Sequence, residues 1–235
     1  MRITNYVFPA MIALFSSTVT QAQTADEIIA KHIEAIGGKE KLSQVKSLYM
    51  ENSMEVMGNQ APVVEYLLEG KGFKSETDYN GSKIISCFTD KGGWSINPMA
   101  GATDAQAMPE EIYKAGKSQI YIGGALLDYA AKGNTVELLG KEDNNYKIKV
   151  INGTTESIYF IDTSTNYITK TTTKGEMMGQ TVEVVTTFTD YTKTDFGIIL
   201  PYSRGIDLGG FALSAKINKV EVNKEMDPKI FEQPK

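Results

Sequence analysis

The chain has 235 residues, of which 41% are hydrophobic and 23% charged, an ordinary composition for a soluble globular protein. With 24 basic against 29 acidic side chains and a net charge of -5, it lacks the basic field that nucleic-acid binding draws on. Arginine occurs only at Arg2 and Arg204, so bidentate clamping of phosphates or carboxylates ranks low as well.

The first segment reads as a targeting signal. Arg2 supplies a positive start, Val7 to Phe15 form an apolar run too short to span a bilayer, and Thr20-Gln21-Ala22 offers small side chains at a cleavage site. The expectation is a secretory signal peptide over residues 1–22, removed to leave one domain over 23–235, soluble in the periplasm. No cysteine follows the apolar run to carry a lipid. The single cysteine, Cys87, has no partner for an internal disulfide and reads as a small buried hydrophobe.

A helix opens the mature chain. Thr24 and Glu27 have the spacing of a capping box, Asp26 and Glu27 suit the positive helix end, and Ile28, Ile29, Ile33 and Ile36 recur at helical spacing until Gly37-Gly38. Lys39 to Val45 adds a short turn. From Lys46 the period changes from 3.6 to 2, with Leu48, Met50, Met54 and Val56 on one face against Glu51, Ser53 and Glu55. Gly58-Asn59 turns the chain, and Val64, Tyr66 and Leu68 are then expected inward against Glu65 and Glu69. Beyond Gly70 and Gly72 the phase shifts to Phe73, Ser75, Thr77 and Tyr79, Asn80-Gly81 marks a hairpin, and Ile84 to Phe88 and Trp94 to Ile96 continue the meander.

Asn97-Pro98 begins a loop rich in Gly, Ala and Met. Pro109-Glu110-Glu111 starts a short helix through Ala115, and Ile120 to Lys132 reads as a further helix, weakened by Gly123-Gly124. Strands resume at 136–139, 146–151, 157–161, 167–173, 181–191, 198–204 and 211–222, with turns rich in Gly, Asn, Asp and Thr. The expected fold is mainly β with α: a single large curved antiparallel sheet of about eleven strands, with about three helices covering its concave face.

Several stretches carry a resemblance. Ile33-Glu34-Ala35-Ile36-Gly37-Gly38 leads into Val45-Lys46-Ser47, followed by Gly93-Trp94-Ser95-Ile96-Asn97-Pro98 and Tyr159-Phe160-Ile161-Asp162. Asp190-Tyr191, Leu200-Pro201-Tyr202 and the tail Asp227-Pro228-Lys229-Ile230-Phe231 complete the set. With the order helix, four strands, helical insert, seven strands, these resemble the bacterial outer-membrane lipoprotein-sorting family, half-barrel carriers related to the periplasmic lipoprotein chaperone. The resemblance implies a periplasmic binding or carrier protein for a lipid or the acyl group of a lipoprotein, with sorting partners at the inner or outer membrane. In the best-known carriers a sheet arginine contacts the helical lid. The first strands here contain no arginine, and Arg204 comes too late in the chain for that role.

Catalytic constellations do not stand out. His32 is the only histidine and has no activating neighbour in sequence, Glu51 and Glu55 fall on the solvent face, and the glycine-lysine stretches at 70–75 and 116–118 lack phosphate-loop spacing. The expectation is a protein with no catalytic residues, no metal and no cofactor. Met50, Met54, Met57, Met99, Met108, Met177, Met178 and Met226 instead supply adaptable apolar side chains. The candidate ligand-binding set is Leu48, Met50, Met54, Phe88, Trp94, Ile148, Val184 and Phe188, lining a cleft beneath Leu126 and Leu127, with Trp94 as its fluorescent reporter. The alternative is a non-enzymatic envelope protein of the same fold, its cavity filled by its own side chains, acting through protein-protein contacts.

Overall fold

The computed structural model describes residues 23–56, 58–177 and 180–234; residues 1–22, read from the sequence as a signal peptide, and Met57 and Met178 lie outside them. Helix α1 (Ala25–Ala35) starts where its capping box dictates: the Glu27 amide donates to the Thr24 hydroxyl, and the Thr24 amide donates to the Glu27 carboxylate. It buries Ile28, Ile29, His32 and Ile33, and the short α2 (Lys39–Ser43) adds Leu42. The first six strands are β1 (Ser47–Val56), β2 (Asn59–Leu68), β3 (Gly72–Tyr79), β4 (Ser82–Thr89), β5 (Gly93–Asn97) and β6 (Ala102–Ala107). After α3 (Glu110–Gly116) come β7 (Asn134–Glu142), β8 (Asn145–Asn152), β9 (Thr155–Asp162), β10 (Ile168–Met177), β11 (Gln180–Lys193), β12 (Ile199–Asp207) and β13 (Ala212–Val222).

All thirteen form one open antiparallel sheet in the order β6-β5-β4-β3-β2-β1-β13-β12-β11-β10-β9-β8-β7. Two meanders thus run outward from a central β1–β13 seam, and the outermost strands, β6 and β7, are consecutive in the chain. The segment joining them has to travel from one edge of the sheet to the other. It does so over the concave face, which places residues 108–133 as a cover without any need for a long helix.

That cover departs from the expected helix over Ile120 to Lys132. After α3 the chain makes a 3-10 turn at Lys117–Ile120, then irregular turns, then another 3-10 turn at Tyr129–Lys132. Gly123 and Gly124 have φ of 73° and 59°, and Asp128 has 51°, left-handed values that stop a helix. Side chains hold the turns: the Ile122 amide donates to the Glu69 carboxylate, Lys132 Nζ to the Gly124 carbonyl, and Asn134 Nδ2 to the Ala125 carbonyl. Ile120, Ile122, Ala125, Leu126 and Leu127 are thereby pressed into the main core beside Leu48, Met50, Phe73, Phe88, Ile148 and Ile161.

The convex face carries a second core. Ile85, Cys87 and Trp94 pack with Tyr66, Leu68 and Ile96 beneath the C-terminal tail, where Phe231 closes the cluster. The Phe231 carbonyl accepts from Trp94 Nε1 at 2.9 Å and from Cys87 Sγ at 3.5 Å. Gly72 is required below it, because a Cβ there would stand 2.5 Å from the Phe231 ring. Burial pushes the Cys87 thiol up to about 12, as suits an inert core residue.

This second core explains two differences from the sequence reading. On β2 the buried inward residues are Ala61, Val63, Glu65 and Leu67, while Tyr66 and Leu68 face the convex cluster, so the expected phase is reversed. The strand is apolar on both sides because both sides are covered, and alternation alone does not show which side is the main core. Similarly, β6 was expected as loop. Its sequence Ala-Thr-Asp-Ala-Gln-Ala has little apolar pattern, and its strand form comes from pairing with β5.

Candidate functional site

The concave face is finished differently at its two ends. Under the cover, Leu48 and Met50 of β1 are buried; further along the same strand and face, Met54 and Val56 are only half-buried. Residues paired directly across an antiparallel sheet share a face, so register traces this half-exposed surface outward. Met54 pairs with Ala215, Ala215 with Arg204, and Arg204 with Phe188; Val56 pairs with Leu213, Leu213 with Ile206, and Ile206 with Thr186. Val184 joins the same face through Thr173, Ser157 and the buried Val150. Met54, Val56, Val184, Phe188, Ile206 and Leu213 therefore share one half-buried face of the sheet, the trough, with Arg204, Thr173 and Thr186 interspersed among them.

A polar cluster stands where the trough meets the covered half. Arg204 Nη2 donates to both carboxylate oxygens of Glu65, at 2.8 and 3.1 Å. Strands β1 and β13 lie between their strands, so in a flat sheet the two backbones would be about 14 Å apart. The pair closes because the sheet curls and because Ala61 and Ala215, small residues flanking Met54 in Arg204's row, leave its side chain space. Glu65 is 5% exposed and needs that cation, since an unpaired buried carboxylate is costly. Asn52 sits between the rows of the two ends, paired with Ile217 on one side and Val63 on the other. It is 3% exposed, and neither its amide oxygen nor its amide nitrogen has a hydrogen-bond partner among the described residues.

The structure brings together part of the set chosen from sequence. Leu48, Met50, Phe88, Leu126, Leu127 and Ile148 belong to the main core beneath and within the cover. Met54, Val184 and Phe188 line the open trough. Trp94 lies apart from all of them, in the convex cluster, because β5 reads out of phase with Phe88: its Cα partner is Cys87, which faces outward. It borders a hollow of about 580 Å³ lined also by Lys71, Thr89 and Phe231. Leu126 and Leu127 border another, about 600 Å³, between α1 and the cover, where Tyr129 donates to Asp26 and Lys39 pairs with Asp128.

Asn52, Glu65 and Arg204 were missed. One signal existed: Asn52 occupies an inward position in the run Leu48, Met50, Asn52, Met54, Val56, a polar residue where the alternation calls for an apolar one. His32, the only histidine, donates from Nδ1 to the Asn166 carbonyl at 2.9 Å, and burial holds its pKa below the ordinary value. Among the described residues, no group of three His, Cys, Asp or Glu side chains is placed to hold a metal, and no helix is long and apolar enough to cross a membrane.

An open antiparallel half-barrel with a cover joining its two edges defines the class of fold. No protein-family model matches the chain, and no curated protein matches it by sequence. Solved structures share the architecture. A LolA superfamily protein from Nitrosomonas europaea superposes with a TM-score of 0.58 at 10% identity, covering 90% of this chain and 98% of that one. A DUF1329 family protein from Desulfovibrio piger gives 0.57 at 14% identity, over 87% and 95% of the two chains. A domain described as an outer membrane lipoprotein-sorting protein, from Vibrio parahaemolyticus, gives 0.55 at 11% identity over 88% and 95%. At these identities the likeness is one of fold.

Proposed function

We propose that the chain is an exported periplasmic binding or carrier protein for a lipid-like or acylated ligand, acting without cofactor or covalent chemistry. The observation that carries this reading is the half-exposed apolar trough on the concave face, with flexible Met54 at its inner end. Burial of an acyl chain yields roughly 0.8 kcal/mol per methylene, so eight to ten methylenes laid along it would outweigh the cost of association. The fold shared with a lipoprotein-sorting domain supports acyl groups as the ligand class, and the apolar leader read at residues 1–22 supports export. Isothermal calorimetry with decanoyl to hexadecanoyl ligands tests the reading. Saturable binding that Phe188→Asp abolishes in a folded protein is the expected result; flat heats from a folded wild type would end it.

The filled-cavity alternative has one observation in its favour: beneath the cover the concave face is occupied by the protein's own side chains, with Ile120 and Leu126 almost wholly buried. That packing stops short of the trough. The same titration separates the two readings, because a protein acting only through partner proteins would bind no acyl chain.

A further inference from the structure

The trough alone would take any apolar chain, but its inner end is not apolar. Asn52 presents an acceptor oxygen and a two-hydrogen donor nitrogen, buried and without partners among the described residues, on a face otherwise bordered by Met50, Met54 and Val63. An unsatisfied buried amide is costly, so its place on that face calls for a reason other than packing. The charges beside it cancel. Glu65 and Arg204 already neutralise each other, so a charged head group arriving here would bring an uncompensated charge into a desolvated site.

We propose that Asn52, framed by the Glu65–Arg204 pair, is the recognition point for the neutral carboxamide that links an acyl chain to its head group. The inference rests on the carrier reading and deepens it by naming the ligand's linkage. A carboxamide offers one N–H donor and one carbonyl acceptor, the complement of the two functions Asn52 displays. An ester offers acceptors only and leaves the Asn52 oxygen unpaired; a carboxylate adds a charge. The side chains that a ligand would displace to reach Asn52 are long and adjustable. Met54 shares Asn52's strand and face, and Arg204 keeps 28% of its side chain exposed.

N-ethyldecanamide and ethyl decanoate are isosteric neutral probes that differ only at the linkage, and calorimetry on the mature protein compares them. Wild type is expected to bind the amide at least tenfold more tightly than the ester. Asn52→Leu, which fills the same space without polarity, should bring the two within about twofold while still binding the ester, showing that the trough is intact. Equal affinities in wild type, or a preference that survives Asn52→Leu, would overturn the inference and leave the carrier reading standing. Binding of neither probe would overturn both. If amide preference holds, N-decanoyl dipeptide and N-decanoyl ethanolamine separate a peptide-borne from a lipid-borne amide, and tighter binding of either one than of the ester upholds the proposal.

Discussion

The covered and open halves of the concave face belong to one sheet, with β1 running through both, and their difference lies in what the chain lays over them. In the covered half, Leu126 and Ile120 descend from the cover onto Leu48, Phe73 and Phe88, and all five side chains are buried. In the open half, Val184, Phe188 and Leu213 continue the same apolar face but remain half-exposed. One half therefore stores stability, and the other offers area. The boundary is drawn by Glu65, Arg204 and Asn52, polar groups that neither half would choose for itself.

The sharpest way to break this comparison is to place the same charge in each half. Leu126→Asp puts a carboxylate at a position only 1% exposed. The expected cost is several kcal/mol, enough to abolish the cooperative urea transition. Phe188→Asp, at a half-exposed position, should keep the transition within about 1 kcal/mol and lose acyl binding instead. Should both variants unfold alike, the division into a structural and a binding half would be wrong.

The next effect lies on the opposite face. Phe231→Ala empties the ring that seals Trp94 and Cys87, and a loss of about 3–5 kcal/mol is expected, with a red shift of Trp94 emission as water reaches the indole. Acyl ligands, by contrast, should leave that emission unchanged, since Trp94 is on the far side of the sheet from the trough. A ligand-induced Trp94 shift would place the binding site on the convex face.

The boundary itself is tested by Arg204→Met, which leaves Glu65 buried without its cation. The expected cost is about 3 kcal/mol, at the lower end for buried pairs because Arg204 is partly solvated. Combining it with Glu65→Leu removes the stranded charge, and urea midpoints should show the double variant more stable than Arg204→Met alone. A double variant less stable than the single would mean that the two side chains contribute independently.

These three residues also mark the limit of what a single sequence shows. Helix α1 was legible because its capping box and isoleucine spacing are local, and so was the Asn80-Gly81 hairpin, where Asn80 and Gly81 both take positive φ. The large antiparallel sheet followed from the switch of period at Lys46 and the alternation sustained after it. The phase of β2 and β5 was hidden, since the tail that covers Tyr66 and Trp94 arrives more than 130 residues later. The Glu65–Arg204 pair joins residues 139 apart through sheet curvature, and no local pattern in either strand announces it. The apolar residues of the cover were identified, but their helical reading failed because three left-handed residues interrupt it and side-chain hydrogen bonds take over from helical ones.

The smallest expected effect sharpens the comparison from inside the covered half, where His32 is buried in the main core at the point where α1 meets the Asn166 turn. Removal from water disfavours the imidazolium there more than the Asn166 carbonyl favours it, so the folded-state pKa lies below the ordinary 6.5. Above pH 7 both folded and unfolded chains hold a neutral ring, and His32 contributes no pH dependence. As the pH falls through 6.5 the unfolded chain takes up a proton that the folded chain refuses, so stability declines until the pH reaches the lowered folded value. Glu69, whose pKa burial raises, has the opposite sign, gaining stability as the pH falls, and it is present in both wild type and His32→Gln, so their difference reports His32 alone. Urea midpoints of wild type should therefore fall between pH 7.5 and 5.5, and His32→Gln, which keeps a donor for the Asn166 carbonyl but does not titrate, should flatten that decline. Parallel pH profiles for the two proteins would show that the ring titrates in the folded state as it does in water, and that the covered half is more open to solvent at α1 than its packing indicates.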